Sequence, residues 1–484
     1  MEDYMRKIEE AFEEEIAFLQ GLLRIESVAC DPTPASVQAG KPFGEGPRKA
    51  LDYCLRGAEG MGFSPCDDGG FGGHAEFGDG HRLFGILAHL DVVPAGEGWT
   101  FAPYDGVRDG DYIYGRGTTD DKGPAVACLY AMKALHEAGY RPDARIRLIF
   151  GCDEETNWLG MRHYLENVGP CDYGFTPDGS FPVVRAEKGI LTFDLVRKFS
   201  RLKKKGLTLR KWEGGAAHNM VAERARVLLY SQDQAAYAAI KEKFAAFAEA
   251  HAEKNGIRAT YHVRKLGKSL ELTVKGKSAH GASPEKGLNA ISLTADFLSR
   301  LSFADEEVND FLAFYKRHIG YDLHGERLGL AFSDQPKGAL TFNVGLVRLE
   351  DHALTLTVNI RYPIGKTEED VMTALAARTR AYETGILRQS VQEPISFPAD
   401  GPLVKILLDV YRKHTGDRET APLVIGGGTY ARAMKNVVAF GAAFPGDPDR
   451  MHQKDEKIRL DRFLLMTKIY AEAIRRLTDP AFSL

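Results

Sequence analysis

The spacing of apolar residues changes several times along the chain. In the first 23 residues, Ile8, Phe12, Ile16, Leu19 and Leu23 recur at a helical period, which predicts an amphipathic helix. Between residues 82 and 155, the apolar runs RLFGILAHLDVV and ARIRLIFGCDEE predict strands, and GPAVACLYAMKALHEAGY between them predicts a helix. Strand, helix and strand in succession predict a mostly parallel sheet flanked by helices.

A different pattern begins near residue 187. Alternating segments such as ILTFDLVRKF, SLELTVKGKSAHG and ALTLTVNIRYP predict antiparallel strands among longer helices. Near residue 389 an amphipathic helix, LVKILLDVYRKHTG, and a buried strand, VVAFGAAF, return to the first pattern. We therefore expect an α/β catalytic domain in two segments, 1–186 and 389–484, interrupted by an inserted α+β domain, 187–388. The insert is about twice the size of one β-α-β-β-α-β unit.

Composition narrows the class of protein. The chain has 484 residues, of which 27% are charged, with a formal net charge of −4, so nothing suggests nucleic acid or an anionic membrane as a partner. An apolar run of roughly 20 residues, the length needed to span a bilayer, is missing. The acidic N-terminus does not resemble a signal peptide. The six cysteines form no CxxC pair, and we expect reduced thiols and a cytoplasmic protein.

Candidate chemistry gathers where strands of the parallel sheet are predicted to end, which is where such sheets place their functional groups. His89 ends one strand, and Asp91, two residues later, points the same way and is a candidate partner for the second N–H of the imidazole. Asp153, Glu154 and Glu155 end another strand. Adjacent buried carboxylates are costly unless cations neutralise them. We assign Glu155 as a metal ligand and Glu154 as a general base; the alternative is a solvated acidic loop.

Three further residues complete a candidate metal set. Asp120, in GRGTTDDKG just before the predicted helix, is the candidate carboxylate between two metals; the alternative is a charged helix-start turn. A dinucleotide loop is not supported, because GxGxxG is absent. Asp178 in TPDGS and His452 in PDRMHQ would alone be a turn residue and a surface histidine. Together the five residues suit zinc, manganese or cobalt, and two divalent cations would be neutralised by three carboxylates and one hydroxide.

These segments resemble a dinuclear zinc metallopeptidase family, the one that includes carboxypeptidase G, aminoacylase and succinyl-diaminopimelate desuccinylase. The resemblance is strongest to its bacterial dipeptidase branch, the dipeptidase V or carnosinase-like enzymes. The motifs cover nearly the whole chain in the family's order: His89-Leu90-Asp91-Val92-Val93-Pro94, the 115–123 segment GRGTTDDKG, Asp153-Glu154-Glu155, Pro177-Asp178, Ser278-Ala279-His280-Gly281, Asn359-Ile360-Arg361-Tyr362-Pro363, Gly426-Gly427-Gly428-Thr429-Tyr430 and His452.

The resemblance implies a zinc-exopeptidase-like catalytic domain and a lid of doubled ferredoxin-like type. It places Asp120 between two divalent metals, with zinc preferred and manganese or cobalt as alternatives. His89 and Asp178 would bind one metal, and Glu155 and His452 the other. It also implies a cis peptide bond between Asp120 and Asp121.

The resemblance assigns roles to the lid and to the Gly-rich turn as well. His280 would stabilise the oxyanion, and Asn219 would be a further lid contact. Arg361, with Gly427 and Thr429 of the turn, would hold the terminal carboxylate of the substrate. A doubled lid supplies the oxyanion histidine within one chain, which favours a monomer.

The expected function is therefore metal-dependent hydrolysis of dipeptides with free N- and C-termini through a two-metal-activated water. An alternative is an N-acyl amino-acid deacylase or desuccinylase of the same family, which differs only in the pocket for the amino end of the substrate. A second alternative is a non-catalytic binding protein with a structural metal. Glu154 argues against it, because this residue would bind no metal in the proposed site.

Overall fold

The predicted first helix buries its apolar stripe. In the computed structural model, which describes residues 3–200, 205–334, 338–448 and 450–484, Ile8 and Ile16 are each 2% exposed and Leu19 and Leu23 are fully buried. The α-helices are α1 (Asp3–Leu23), α2 (Pro34–Gln38), α3 (Glu45–Gly60), α4 (Lys122–Glu137), α5 (Leu159–Asn167), α6 (Ala236–Ala250), α7 (Ala290–Leu298), α8 (Glu306–Phe314), α9 (Glu368–Thr379), α10 (Pro402–Thr415) and α11 (Leu460–Leu477).

The strands lie where alternating or continuous apolar runs predicted them, with several short additions. They are β1 (Ser64–Asp67), β2 (Gly72–Phe77), β3 (Arg82–His89), β4 (Val107–Asp109), β5 (Tyr112–Tyr114), β6 (Ala144–Gly151), β7 (Tyr173–Thr176), β8 (Val184–Glu187), β9 (Gly189–Lys198), β10 (Thr208–Gly214), β11 (Arg224–Tyr230), β12 (Glu253–Lys254), β13 (Ile257–Arg258), β14 (Thr260–Leu266), β15 (Ser269–Lys275), β16 (Ser333–Asp334), β17 (Gly338–Ala339), β18 (Thr341–Glu350), β19 (Ala353–Tyr362), β20 (Gly385–Gln392), β21 (Ile395–Ser396), β22 (Leu423–Ile425), β23 (Val437–Ala439) and β24 (Lys457–Arg459).

The chain divides into two compact units. The first unit is Met1–Ala186 with Ser396–Leu484, and the second is Glu187–Ile395. The expected boundary between residues 388 and 389 falls inside β20, which pairs antiparallel with β9 of the second unit. The second unit therefore ends at Ile395. The polar, exposed β20 carries little of the alternation that reveals a half-buried strand.

A mixed sheet forms the centre of the first unit. Its order is β1-β2-β6-β3-β7-β23-β8-β21, with β22 added beside β8. The pairs β6–β3, β3–β7 and β7–β23 are parallel, whereas β1–β2, β2–β6 and β23–β8 are antiparallel. This mixed, mostly α/β architecture confirms the expected fold class. Helix α4 packs against α1, α11 and β3, and its small residues Ala127 and Ala131 are fully buried.

The second unit contains an eight-stranded sheet with the order β14-β15-β11-β10-β18-β19-β9-β20. The described pairs in this sheet are antiparallel, as the alternating segments predicted. Helices α6, α7 and α9 pack against its strands around a separate apolar core. Eight strands are the number that two four-stranded units supply; the doubled ferredoxin-like assignment stays a prediction.

Among the described residues, each helix is either too short or too polar to cross a lipid bilayer.

Candidate active site

His89 ends β3 and is fully buried. Its Nδ1 lies 3.0 Å from the main-chain oxygen of Asp91, which fixes the ring so that Nε2 faces the carboxylates. Nε2 lies 3.0 Å from Oδ1 of Asp120 and 4.0 Å from Oδ2 of Asp178. The imidazole is thus held for ligation through Nε2 by a contact to its other nitrogen.

Asp120 lies between two histidines. Its Oδ1 is 3.0 Å from Nε2 of His89, and its Oδ2 is 2.9 Å from Nε2 of His452. The peptide bond to Asp121 is cis, as the family resemblance implies. Each carboxylate oxygen of Asp120 thus faces a different imidazole, the arrangement that a carboxylate between two metals requires.

The acidic residues after β6 are positioned through their backbone. The Asp91 carboxylate accepts hydrogen bonds from the N–H groups of Glu154 and Glu155, each at 3.0 Å. Its Oδ1 is also 3.4 Å from Nδ1 of His89, so the predicted contact with the imidazole is longer than either of these. Asp91 therefore positions the loop that carries Glu154 and Glu155 in addition to the ring.

Within the described part of the chain, the potential ligand atoms form two groups that share His89. One contains His89, Glu154 and Asp178, the other His89, Asp120 and Glu155, and within each group the atoms lie within 4.8 Å of one another. Nε2 of His452 is 2.8 Å from Oε1 of Glu155. Imidazole nitrogens and carboxylate oxygens are the donors that zinc accepts, so this set fits two divalent ions.

Glu154 belongs to one of these groups, although the sequence assigned it as a base and not as a ligand. A residue that takes a proton from a water between the metals must lie this close to them. Its position is compatible with the predicted role, and the individual roles of the site residues stay predictions.

The carboxylates of the predicted metal site concentrate negative charge in a small, largely buried volume. Burial raises the pKa of Glu154, and the neighbouring Asp178 carboxylate raises it further. Burial opposes ionisation of Asp120 as well, but hydrogen bonds from His452 and His89 outweigh it and hold the pKa of Asp120 well below its usual range. Buried carboxylates at this density call for cations. The His452 side chain is 47% exposed, so the site is open to solvent on that side.

The Gly-rich turn is part of the first unit. Thr429 begins the short helical turn Tyr430–Arg432, and its hydroxyl accepts a hydrogen bond from the N–H of Ala431 at 3.2 Å. The carbonyl of Gly427 accepts one from Arg432 at 3.1 Å. The ring of Tyr430 lies edge-on to His89, 6.3 Å between centroids. The turn therefore approaches the predicted metal site through Tyr430, to which the sequence analysis gave no role beyond its place in the 426–430 motif.

The predicted lid residues lie in the second unit. Gly281 N–H donates to the carbonyl of Asn219 at 2.7 Å, and Met220 and His280 form a β-bridge, so Asn219 and His280 are brought together. Arg361 lies on β19 and is 4% exposed. Its charge contributes to the lowered pKa of His218, of which burial is the larger cause, so Arg361 is near the same segment.

Sequence reasoning missed a buried pair behind the loop 115–120, which ends in the proposed ligand Asp120 and is called the metal loop below. Glu456 and Arg116 are 0% and 1% exposed, and Nη1 of Arg116 donates to Oε2 of Glu456 at 2.7 Å. A glutamate in a polar loop carries no periodic signal, and its partner lies 340 positions away.

A mixed α/β unit that gathers two imidazoles and a group of carboxylates at strand ends and in the adjoining loops is typical of a metallopeptidase. Residues 85–476 match the model of Peptidase family M20/M25/M40, and the chain belongs to this family. The resemblance drawn from the motifs is thereby confirmed.

Relatives match along almost the whole chain. A Staphylococcus saprophyticus protein named "Putative dipeptidase" is 36% identical over 462 residues, covering 95% of this chain and 96% of its own. A Staphylococcus haemolyticus protein with the same designation is 35% identical over 474 residues, covering 97% and 98%.

Solved structures share the fold. Human carnosine dipeptidase 1 aligns with a TM-score of 0.57 at 14% identity, covering 98% of both chains. The di-peptidase Dug1p of Saccharomyces cerevisiae aligns with a TM-score of 0.57 at 13% identity, covering 99% of both. At these identities the likeness concerns the fold alone.

Proposed function

We propose that this chain is a dipeptidase that hydrolyses dipeptides with free N- and C-termini and depends on two divalent metal ions. The observation that carries the proposal is the position of Asp120, with its two oxygens 3.0 and 2.9 Å from the imidazoles of His89 and His452. The names of the staphylococcal relatives support the substrate class.

The division of the five proposed ligands between the two metals follows the family resemblance. His89 and Asp178 would hold one metal, Glu155 and His452 would hold the other, and Asp120 would be shared by both. When bound, the two metals supply a nucleophilic water at neutral pH and stabilise charge on the scissile carbonyl oxygen. Zinc is the proposed ion, with manganese or cobalt as substitutes.

Glu154 is the proposed proton carrier. It accepts the proton that the attacking water gives up and delivers it to the nitrogen of the leaving amino acid. The backbone hydrogen bond from Glu154 to Asp91 (3.0 Å) holds this residue at the edge of the site. Thus the protein contributes a fixed base beside the metal ligands.

The substrate contacts are proposed to come from His280, Asn219 and Arg361, with Gly427 and Thr429. The burial of the Arg361 side chain (4% exposed) favours a role beyond that of a surface charge. A buried guanidinium suits the planar, charged carboxylate at the end of a peptide. We propose that Glu187–Ile395 acts as the lid that carries these three residues.

The proposal also covers the oligomeric state and the cellular location of the protein. We propose a monomer, because a doubled lid would supply His280 to the metal site of its own chain, and light scattering on the purified protein would measure this. All six cysteines are free thiols, in keeping with the proposed cytoplasmic location.

A substrate panel tests the function. Metal-stripped protein is refilled separately with zinc, manganese or cobalt and assayed on dipeptides, N-acetyl amino acids and N-succinyl amino acids. We expect metal-dependent cleavage of dipeptides and at least tenfold lower kcat/KM on the acylated compounds. Preference for an acylated compound would identify a deacylase, and turnover of none would contradict an enzymatic role.

A further inference from the structure

Glu456 lies entirely inside the first unit, four positions after the proposed ligand His452. Its Oε1 accepts hydrogen bonds from the N–H and hydroxyl of Thr119, each at 2.9 Å, and from the N–H of Asp120 at 3.3 Å. Its Oε2 accepts from Arg116 at 2.7 Å and from the N–H of Gly117 at 3.1 Å. One carboxylate thus bonds most of the loop that ends in Asp120.

Arg116 extends these contacts to Gln453, the residue directly after His452, and to the loop after β3. Its guanidinium donates to the carbonyl of Gln453 at 3.2 Å and stacks over the ring of Trp99 at 5.1 Å. The N–H of Gly115 donates to the carbonyl of Glu456 at 3.0 Å. Main-chain and side-chain hydrogen bonds therefore join the metal loop to residues 452–456, called the His452 segment below.

The His452 segment has a backbone that local preferences do not favour. His452 and Asp455 have φ values of 60° and 57°, in the left-handed region that residues with a side chain seldom adopt. Tertiary contacts must hold such a conformation. Asp455 accepts a hydrogen bond from the N–H of Thr100 at 2.7 Å, and Glu456 follows directly with its bonds to the metal loop.

We propose that Glu456 is a positioning residue that fixes Asp120 relative to His452 and thereby sets the affinity of the protein for both metals. It acts through the backbone of the loop and contacts no substrate. Because Asp120 is shared by the two proposed metals, displacement of its loop weakens both sites. This inference rests on the proposed metal centre.

The hydrogen-bond pattern makes the charge of Glu456 necessary. The backbone N–H groups of Gly117, Thr119 and Asp120 and the guanidinium of Arg116 can only donate. A glutamine has nearly the same shape, but its NH₂ group would face donors whichever way the amide turned. The N–H groups left without an acceptor would shift the loop, since buried unpaired donors are costly.

The test measures zinc affinity of purified full-length protein by competition with a chelating dye, for wild type, Glu456→Gln and Glu456→Asp. Contacts that orient metal ligands typically change metal affinity 10- to 100-fold. We expect Glu456→Gln to bind both zinc ions at least tenfold more weakly. Glu456→Asp keeps the charge and should recover part of that loss. At saturating zinc, the fold loss of kcat in Glu456→Gln should be smaller than its fold loss of zinc affinity.

Glu472→Gln is the matched control. Glu472 is 2% exposed on α11 and accepts hydrogen bonds from Lys413 and His414, both at 2.7 Å, so its loss also removes a buried, paired carboxylate. This control should lower Tm and keep wild-type zinc affinity. Unchanged zinc affinity in folded Glu456→Gln, or an equal loss in Glu472→Gln, would overturn the inference. Should Glu456→Gln not fold, Glu456→Asp decides, since unchanged affinity there would also overturn it. Wild-type protein that binds no zinc would instead contradict the proposed function.

Discussion

The buried carboxylate of Asp91 organises three of the proposed active-site residues. It accepts hydrogen bonds from the N–H groups of Glu154 and Glu155, while its main-chain oxygen contacts Nδ1 of His89. All three contacts leave the reactive atoms of these residues free to face the site. The proposed base and two of the proposed ligands are therefore positioned by the same residue.

At the scale of single residues, Glu154 provides the most direct test of the proposed mechanism. We expect Glu154→Gln to lower kcat about 10²- to 10⁴-fold, the usual contribution of a general base. Two bound zinc ions should be retained, because the amide does not remove a proposed ligand. Steady-state kinetics together with metal analysis of the purified variant measure both quantities.

The control for that experiment is Asp120→Asn, which alters the proposed shared ligand and should lose metal as well as turnover. Near-wild-type turnover of Glu154→Gln would show that another group carries the proton. Loss of zinc from Glu154→Gln would instead make Glu154 a ligand, as its place beside His89 and Asp178 allows.

At the scale of elements, helices α10 and α11 are joined by a charged cluster. Glu472 of α11 accepts hydrogen bonds from Lys413 and His414 of α10. Burial opposes ionisation of Glu472, but the hydrogen bonds from His414 and Lys413 outweigh it and lower its pKa from 4.5 to about 2. The charged form is thus favoured by folding.

A lowered carboxyl pKa stabilises the fold above the pKa of the unfolded chain and loses this effect as pH falls through the folded value. Glu472→Gln should therefore lower the free energy of unfolding by about 2 kcal/mol at pH 7. The difference from wild type should shrink between pH 4.5 and about 2. Urea unfolding at a series of pH values measures it; a difference that grew towards acid pH would contradict the assignment.

At the scale of the whole molecule, all five proposed metal ligands belong to the first unit, Met1–Ala186 with Ser396–Leu484. Four of them, His89, Asp120, Glu155 and Asp178, come from its first segment, and His452 comes from its second. Metal bound by the five proposed ligands would therefore join distant parts of the chain and would stabilise the folded state by mass action.

Removal of metal with a chelator should lower Tm. A ligand at 100 times its Kd contributes about 2.7 kcal/mol to the folded state, so the effect is measurable by calorimetry. Re-addition of zinc should restore Tm in wild type and much less in Asp120→Asn. An unchanged Tm after complete metal removal would show that the metals do not bind the folded unit appreciably.

The spacing of apolar residues along the sequence was sufficient to predict many of the helices and strands. Helix α4 and the strands β3 and β6 lie where continuous apolar runs placed them, because a strand or helix buried on all sides must be apolar throughout. The end of the second unit was misplaced, because the exposed β20 has little alternation to recognise. The spacing of apolar residues predicts a strand only where one of its faces is buried, so an exposed strand such as β20 gives no such signal.

The residue types and order of the motifs predicted a site for two divalent metals. Their resemblance to a known family implied a metallopeptidase, and family membership confirmed that class. Only the tertiary structure decided which oxygen of Asp120 faces which histidine, that Asp91 bonds the backbone of Glu154 and Glu155, and that Glu456 lies behind the metal loop. These contacts join residues up to 340 positions apart. Folding creates such pairs, and no local spacing in the chain records them.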